Sequence, residues 1–319
     1  MALLEVKDLK VYYRTRLGPV KAVDEVNLTI DNAEILGIVG ESGCGKTTLA
    51  NAIMNNVDLP CYIDGGKILF KGKDMLAFEK EDVRKMRLRQ IAYIPQSSMN
   101  SLNPVMRIHD QIRDGVMAHR EITKDEASKM IPELLEWVGL PAETATMYPH
   151  ELSGGMKQRA VIAAAAALQP ELLLADEPTT ALDVVVQRVI LEFLSRLKKE
   201  YGSSLIIITH NISVTAEICE RIAVMYAGKI VEVASTRNLF KDPKHPYTQA
   251  LIGSTPSIAS KKELIGLTGT PPSLFEPPAG CRFQERCRHY NPERCKYDEP
   301  LLVGMEDNPD HLVACYLWM

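Results

Sequence analysis

The chain has 319 residues, enough for one large domain and a small one. Apolar residues make up 46% and charged residues 24%, an ordinary globular balance, and the net charge of −4 weighs against a nucleic-acid partner, which needs a basic face. No stretch reaches the roughly 18 apolar residues of a membrane helix. Met1-Ala2-Leu3-Leu4-Glu5-Val6-Lys7 meets charge at once, so no secretory signal is expected, and the chain is expected in the cytosol or held at a membrane through partners.

The first 33 residues alternate as strands with one exposed face, Leu4 to Val11 and Val26 to Ile30. Between them Tyr12-Tyr13-Arg14-Thr15 leads into a Gly18-Pro19 turn. Tyr13 is either a plain strand residue or an aromatic face for a nucleotide base, a stack worth roughly 1–3 kcal/mol. Glu34-Ile35-Leu36-Gly37-Ile38-Val39 reads as a buried strand, and a helical pattern starts near Thr48. Gly40-Glu41-Ser42-Gly43-Cys44-Gly45-Lys46-Thr47-Thr48 joins the two. Strand, glycine loop, Lys-Thr and helix make a P-loop, whose glycines let N–H groups curl round an oxyanion at a positive helix end. Lys46 is expected on the β- and γ-phosphates and the Thr47 hydroxyl on Mg²⁺.

Asp64-Gly65-Gly66 is expected as a turn before a short strand, Lys67 to Phe70, and residues 79–90 as a solvated helix. Ile91-Ala92-Tyr93-Ile94-Pro95-Gln96 reads as a strand that stops at a proline and delivers a glutamine. Residues 97–150 carry amphipathic helical patterns, with Ile131, Leu134, Leu135 and Val138 at 3-and-4 spacing, and no strand signal. Ser153-Gly154-Gly155 opens an Ala-rich helix with a capping serine and free N–H groups, either ordinary capping or a second anion site. Leu172-Leu173-Leu174-Ala175-Asp176-Glu177 is an apolar strand ending in two acids, which fits a Mg²⁺-organising Asp and a carboxylate that polarises water. Val186, Ile190, Phe193, Leu194 and Leu197 mark an amphipathic helix after the Thr179–Asp183 loop. Ser204 to His210 is another buried strand, ending in a histidine that either senses phosphate or caps a turn. Ile222–Tyr226 and Ile230–Val233 read as a hairpin.

In this order the motifs resemble the ATP-binding cassette ATPases. Gly40–Thr47 matches Walker A, Gln96 the Q-loop, Leu152–Gln158 the signature, Asp176-Glu177 Walker B, Ala181-Leu182-Asp183 the D-loop and His210 the switch histidine. The resemblance covers about residues 1–240. It implies an α/β, RecA-like P-loop core with an antiparallel β subdomain and a helical signature subdomain, about 97–160. It also implies a head-to-tail dimer, in which ATP lies between one chain's Walker A and the other's Ser153-Gly154-Gly155. Glu177 is then the general base, His210 contacts the γ-phosphate, Asp176 and Gln96 serve the Mg²⁺ shell, Asp183 counts among the nucleotide-binding residues and Tyr13 stacks adenine.

Residues 241–280 hold seven prolines, and an extended wrapping segment is expected there. His245-Pro246-Tyr247-Thr248-Gln249-Ala250-Leu251 and Pro277-Pro278-Ala279-Gly280-Cys281 resemble the C-terminal extension, 241–319, of the oligopeptide/dipeptide branch of importers, in its D-type subunit. That implies a different F-type ATPase subunit, two transmembrane permease subunits and an extracytoplasmic solute-binding protein as partners, at the cytoplasmic face of the membrane. Cys281, Cys287, Cys295 and Cys315 have C-x5-C-x7-C-x19-C spacing, without the CxxC of zinc ribbons or ferredoxins. The resemblance implies a [4Fe–4S] cluster, with zinc or free thiols as the alternatives. The function expected is an ATPase driving uptake of peptides, with oligosaccharides or metal chelates as other cargoes. A soluble non-transport ATPase and an iron–sulfur regulatory module are the rival classes.

Overall fold

The computed structural model describes residues 2–96, 100–180, 182–254 and 267–319. In chain order it contains β1 (Leu4–Arg14), β2 (Pro19–Ile30), β3 (Ile35–Val39), α1 (Lys46–Ile53), β4 (Cys61–Phe70) and β5 (Lys73–Asp74). Then follow α2 (Lys80–Met86), β6 (Ile91–Ile94), α3 (Ile108–Met117), α4 (Lys124–Trp137), α5 (Gly154–Ala166) and β7 (Leu172–Asp176). Next are α6 (Val184–Tyr201), β8 (Ser204–Thr209), α7 (Ile212–Ile218), β9 (Arg221–Tyr226), β10 (Lys229–Ser235), α8 (Thr236–Lys241) and α9 (Pro246–Gly253). The chain closes with α10 (Pro292–Cys295), β11 (Val303–Met305) and β12 (Asn308–Val313). These gather into two compact units, one of Met1–Ile30, Leu36–Leu76 and Ile208–Met319, the other of Asp31–Ile35 and Ala77–Ile207. No helix among the described residues is long and apolar enough to cross a membrane.

In the first unit β2, β1, β4 and β5 form an antiparallel sheet in that order. Alternation in β1 buries Leu4 and Val6, slips at Asp8 (φ 45°), and resumes at Leu9 and Val11. Asp64-Gly65-Gly66 is not a turn between strands. It lies within the ten-residue β4, where Gly66 (φ 92°) makes a bulge opposite the Asp8 slip. A Cβ on Gly66 would sit 2.5 Å from the Leu9 Cα, so the close strand approach needs glycine.

The nucleotide strand β3 is buried at every position and pairs in parallel with β9. β9 and β10 form the expected hairpin, through Ala227 and Gly228, both with positive φ. The C-terminal residues then add to this sheet: β12 pairs with β10, and β11 with β12. The proline-rich 241–280 stretch also contains a helix, α9, against the extended expectation. Pro246 sits at its first position, where a missing N–H costs nothing, and the His245 Nδ1 accepts from the Tyr247 N–H at 3.0 Å. The approach to α9 is fixed by Glu232, fully buried on β10. Its carboxylate accepts from the N–H groups of Lys244 (2.7 Å) and His245 (2.9 Å) and lies 2.7 Å from His311 Nε2 on β12.

In the second unit β6 and β7 run parallel, Ile91 level with Leu172 and Ile94 with Ala175, and β8 lies beside β7. The helical stretch falls between β6 and β7 as expected. Its α3 buries Ile108, Ile112 and Val116, and α4 buries Ile131, Leu134 and Leu135. Thr123 and Glu126 start α4 with a reciprocal capping box. Asp183 caps α6 at one end and Gly202 (φ 69°) ends it at the other.

Two consequences are testable. Arg282, its side chain almost fully buried, donates to the Asp24 carboxylate and the Ala227 carbonyl. Burial raises the Asp24 carboxyl, but the Tyr12 hydroxyl, Lys229 and Arg282 outweigh it and hold Asp24 below its ordinary range. Arg282→Ala leaves that carboxylate buried beside too little positive charge, and denaturant titration is expected to read a loss of about 3 kcal/mol. Burial also pushes the His245 imidazole down to about 4, against the pull of Glu232. The unfolded chain takes that proton near 6.5 and the folded chain only near 4. Stability from this group is therefore complete above the unfolded value and lost as the pH falls toward the folded one. Between pH 7 and pH 5 the loss is expected to reach about 2 kcal/mol, and His245→Asn to shrink it.

Candidate nucleotide site

The phosphate loop lies in the first unit. β3 ends at Val39 and α1 begins at Lys46. Between them the backbone runs close to its neighbours: a Cβ on Gly40 would meet the Met225 carbonyl oxygen at 2.1 Å, and one on Gly45 (φ 108°) the Ala22 carbonyl oxygen at 2.0 Å. Gly43 (φ 80°) faces open space, with nothing within 4 Å of a Cβ there. Gly45 caps α1 without a side-chain hydrogen bond, so no side chain covers the first N–H groups of the helix. Ser42 is exposed and Thr47 half-buried beside this opening, while burial pushes the Cys44 thiol up. The Lys46 Nζ is buried and donates to the carbonyls of Gly40 (2.7 Å) and Glu41 (2.8 Å). The expected base-stacking Tyr13 joins this group: its hydroxyl lies 3.0 Å from Thr48 Oγ1 on the first turn of α1. His210 follows β8 and is exposed, next to Asn211, whose side chain caps α7.

The carboxylates lie in the second unit. Asp176 is the last residue of β7, 1% exposed, with the Tyr93 hydroxyl 3.4 Å from its Oδ2. Burial, then Asp176, push the Tyr93 phenol up. Glu177 follows with φ 55°, a left-handed conformation that costs a non-glycine residue roughly 1–2 kcal/mol. Its Oε2 accepts from Thr180 Oγ1 at 2.5 Å. Gln96 stands two residues past Ile94, the last residue of β6 and the register partner of Ala175, and it is exposed. Ser153 caps α5 by accepting from the Met156 N–H at 3.3 Å, and Ser153 and Gly154 are exposed while Gly155 is half-buried. Asp183 accepts from the Val186 N–H at 3.0 Å, beside Val184 and Val185, which are 81% and 75% exposed. Of the D-loop, Ala181 lies outside the described residues.

Sequence reasoning missed three partners. Gln158, inside the signature stretch, donates to the Pro178 carbonyl at 2.7 Å and so ties α5 to the loop after Glu177. Arg286 grips the Glu41 carboxylate with two bonds, 2.7 and 2.8 Å. The Tyr247 hydroxyl accepts from the Glu41 N–H at 2.9 Å. Gln158 was legible from its place in a motif, whereas the other two lie more than 200 positions from their partner.

Cys281, Cys287, Cys295 and Cys315 line one cavity of about 250 Å³, together with His245 and Phe283. All four are free thiols. Burial pushes Cys281 up to about 12 and Cys315 up to about 11, each helped by the neighbouring cysteines. No group of three or more His, Cys, Asp or Glu among the described residues is spaced to hold a metal ion. The four cysteines thus meet around a shared space, and the expected metal site has no support in their spacing.

Residues 23–180 match the family described as ABC transporter, and residues 231–295 the family described as Oligopeptide/dipeptide transporter, C-terminal region. An oligopeptide transport ATP-binding protein of Bacillus subtilis is 46% identical, over 89% of this chain and 81% of that protein. A dipeptide transport ATP-binding protein of Haemophilus influenzae is 44% identical over 95% and 92%. An oligopeptide transport ATP-binding protein of Escherichia coli is 42% identical over 99% and 93%. Among solved structures, a dimeric ATP-binding cassette in a post-hydrolysis state with ADP and Pi superposes with a TM-score of 0.67 at 27% identity, covering 73% of this chain and 99% of that one. With the phosphate loop, the paired acids and the signature helix start all present, the chain belongs to the ABC transporter family, among its oligopeptide and dipeptide transport ATP-binding proteins.

Proposed function

We propose that the chain is the ATP-hydrolysing subunit of an importer of oligopeptides or dipeptides. The carrying observation is a phosphate loop with open first-turn N–H groups in the same chain as a buried Asp176-Glu177 pair. The chain divides near residue 240, into a nucleotide-binding domain and a C-terminal extension, which the two family matches support. Residues Gly40 to Thr48 cradle the phosphates, Lys46 pairs with their charge and Tyr13 stacks on the base. Thr47, Gln96 and Asp176 offer hydroxyl, amide and carboxylate oxygens, a donor set that suits a hard cation. Bound there, Mg²⁺ would neutralise phosphate charge. Glu177 takes the proton of the attacking water, with Thr180 orienting its carboxylate. His210 contacts the γ-phosphate.

The exposed Ser153, Gly154, Asp183, Val184 and Val185 support a second ATPase chain closing over the nucleotide. We take that chain to be a different F-type subunit, and the other partners to be two permease subunits and a solute-binding protein. The chain then sits peripherally on the cytoplasmic face of the membrane. In the assembled complex Glu177→Gln is expected to lower ATP turnover by about 10²–10⁴-fold with ATP still bound. Turnover close to wild type would remove Glu177 from the role of base. Loss of peptide uptake into vesicles along with that turnover is the test of the transport reading.

We infer further that the four-cysteine cavity takes a [4Fe–4S] cluster. Zinc draws four thiolates to about 2.3 Å from one centre, whereas a cuboidal cluster bonds each to a separate iron around a larger volume. The reading rests on the four thiols lining one cavity, not on metal-ligand spacing among them. Anaerobically purified protein is expected to carry about four irons and four acid-labile sulfides per chain. One zinc per chain with no iron would overturn this.

A further inference from the structure

Glu41 is an acid inside a loop that binds anions. Left free, its carboxylate would repel a triphosphate and compete for Lys46. In the structure every polar group of this residue is engaged. The carboxylate receives both arms of the Arg286 guanidinium, at 2.7 and 2.8 Å. The N–H donates to Tyr247 and the carbonyl accepts from Lys46. Arg286 is itself locked: its side chain is 4% exposed, its Nε donates to the Thr268 carbonyl at 2.9 Å, one of its terminal nitrogens donates to the Tyr226 hydroxyl at 3.2 Å, and its guanidinium lies over the Tyr226 and Phe283 rings. Tyr226, Tyr247 and Phe283 pack ring against ring behind it, with centroids 4.6–5.5 Å apart.

We infer that Arg286 is a positioning residue for ATP binding: it neutralises Glu41 and keeps that carboxylate turned away from the phosphate cradle. Tyr247 holds the same residue by its backbone. Both come from the C-terminal segment, so the loop at residue 41 is completed by side chains more than 200 positions away. A guanidinium suits this task because its planar fork matches a carboxylate and stays charged at any physiological pH.

The inference rests on the reading of the loop as an ATP site, and a double-mutant cycle on the full chain separates the two. Mg-ATP affinity is measured by titration calorimetry, with melting temperature as the control. Arg286→Ala is expected to weaken ATP about tenfold by leaving Glu41 charged beside the cradle. Adding Glu41→Gln to that variant is expected to restore affinity to within about threefold of wild type, because the unpaired charge is gone. Arg286→Lys is expected to fall between the two. Should Arg286→Ala fail to fold, the larger, polar and neutral Arg286→Gln carries the same cycle. If the double variant binds as weakly as the single one, Arg286 is an anchor only. If Arg286→Ala binds as tightly as wild type, it has no part in the site. If the wild-type chain itself fails to bind Mg-ATP, the ATPase reading falls instead.

Discussion

An anion-binding loop works only while its N–H groups stay turned inward and every competing group is turned away. Here that constraint is met from outside the loop. The Met225 and Ala22 carbonyl oxygens sit so close to Gly40 and Gly45 that no side chain fits there. Glu41 is held by its N–H, its carbonyl and its carboxylate at once. The open face at Gly43 is what remains. The hairpin of β9 and β10, the helix α9 and the segment around Phe283 all bear on this one turn, and their packing makes sense as support for it.

The second unit meets a different demand. A glutamate just past a strand end is otherwise free to rotate. Glu177 is aimed by an unfavourable backbone, with φ 55° where glycine is usual. Two side chains hold that geometry: Gln158 on the Pro178 carbonyl and Thr180 on the Glu177 carboxylate. Since Gln158 belongs to the helix that Ser153 starts, that helix is hydrogen-bonded to the loop after Glu177.

Much of this was legible in the residue order. The phosphate loop, the acids after β7, the capping serine of α5 and the helical stretch after Gln96 are local patterns, each needing particular residue types within a few positions. Tyr13 reads two ways from its spacing alone, and its contact with Thr48, which places it beside the loop, has no local signal in the sequence. The misreadings share a cause. Asp64-Gly65-Gly66 has turn composition, yet it pairs on both sides with β1 because a bulge there absorbs the slip at Asp8. Pro246 looked like a helix breaker and is a helix starter, because Glu232 and His245 satisfy the donors around it. Ion pairs such as Arg286–Glu41 leave no local trace, since charge complementarity across the fold has no period.

The C-terminal segment is therefore no loose appendage. Arg282 reaches Asp24 in the middle of β2, and Arg286 reaches Glu41 at the head of the phosphate loop. Both arginines lie between Cys281 and Cys287, a span too short to move one end without the other. The two cysteines line the cavity while the two cations bond Asp24, the Ala227 carbonyl and Glu41. A change in how the thiols are spaced, whatever its cause, has to be absorbed by Phe283 and its ring partners or passed to the arginines. Those rings are buried and closely packed, so they yield little. The cysteine cavity and the ion pair at Glu41 are thus joined through one short, closely packed segment.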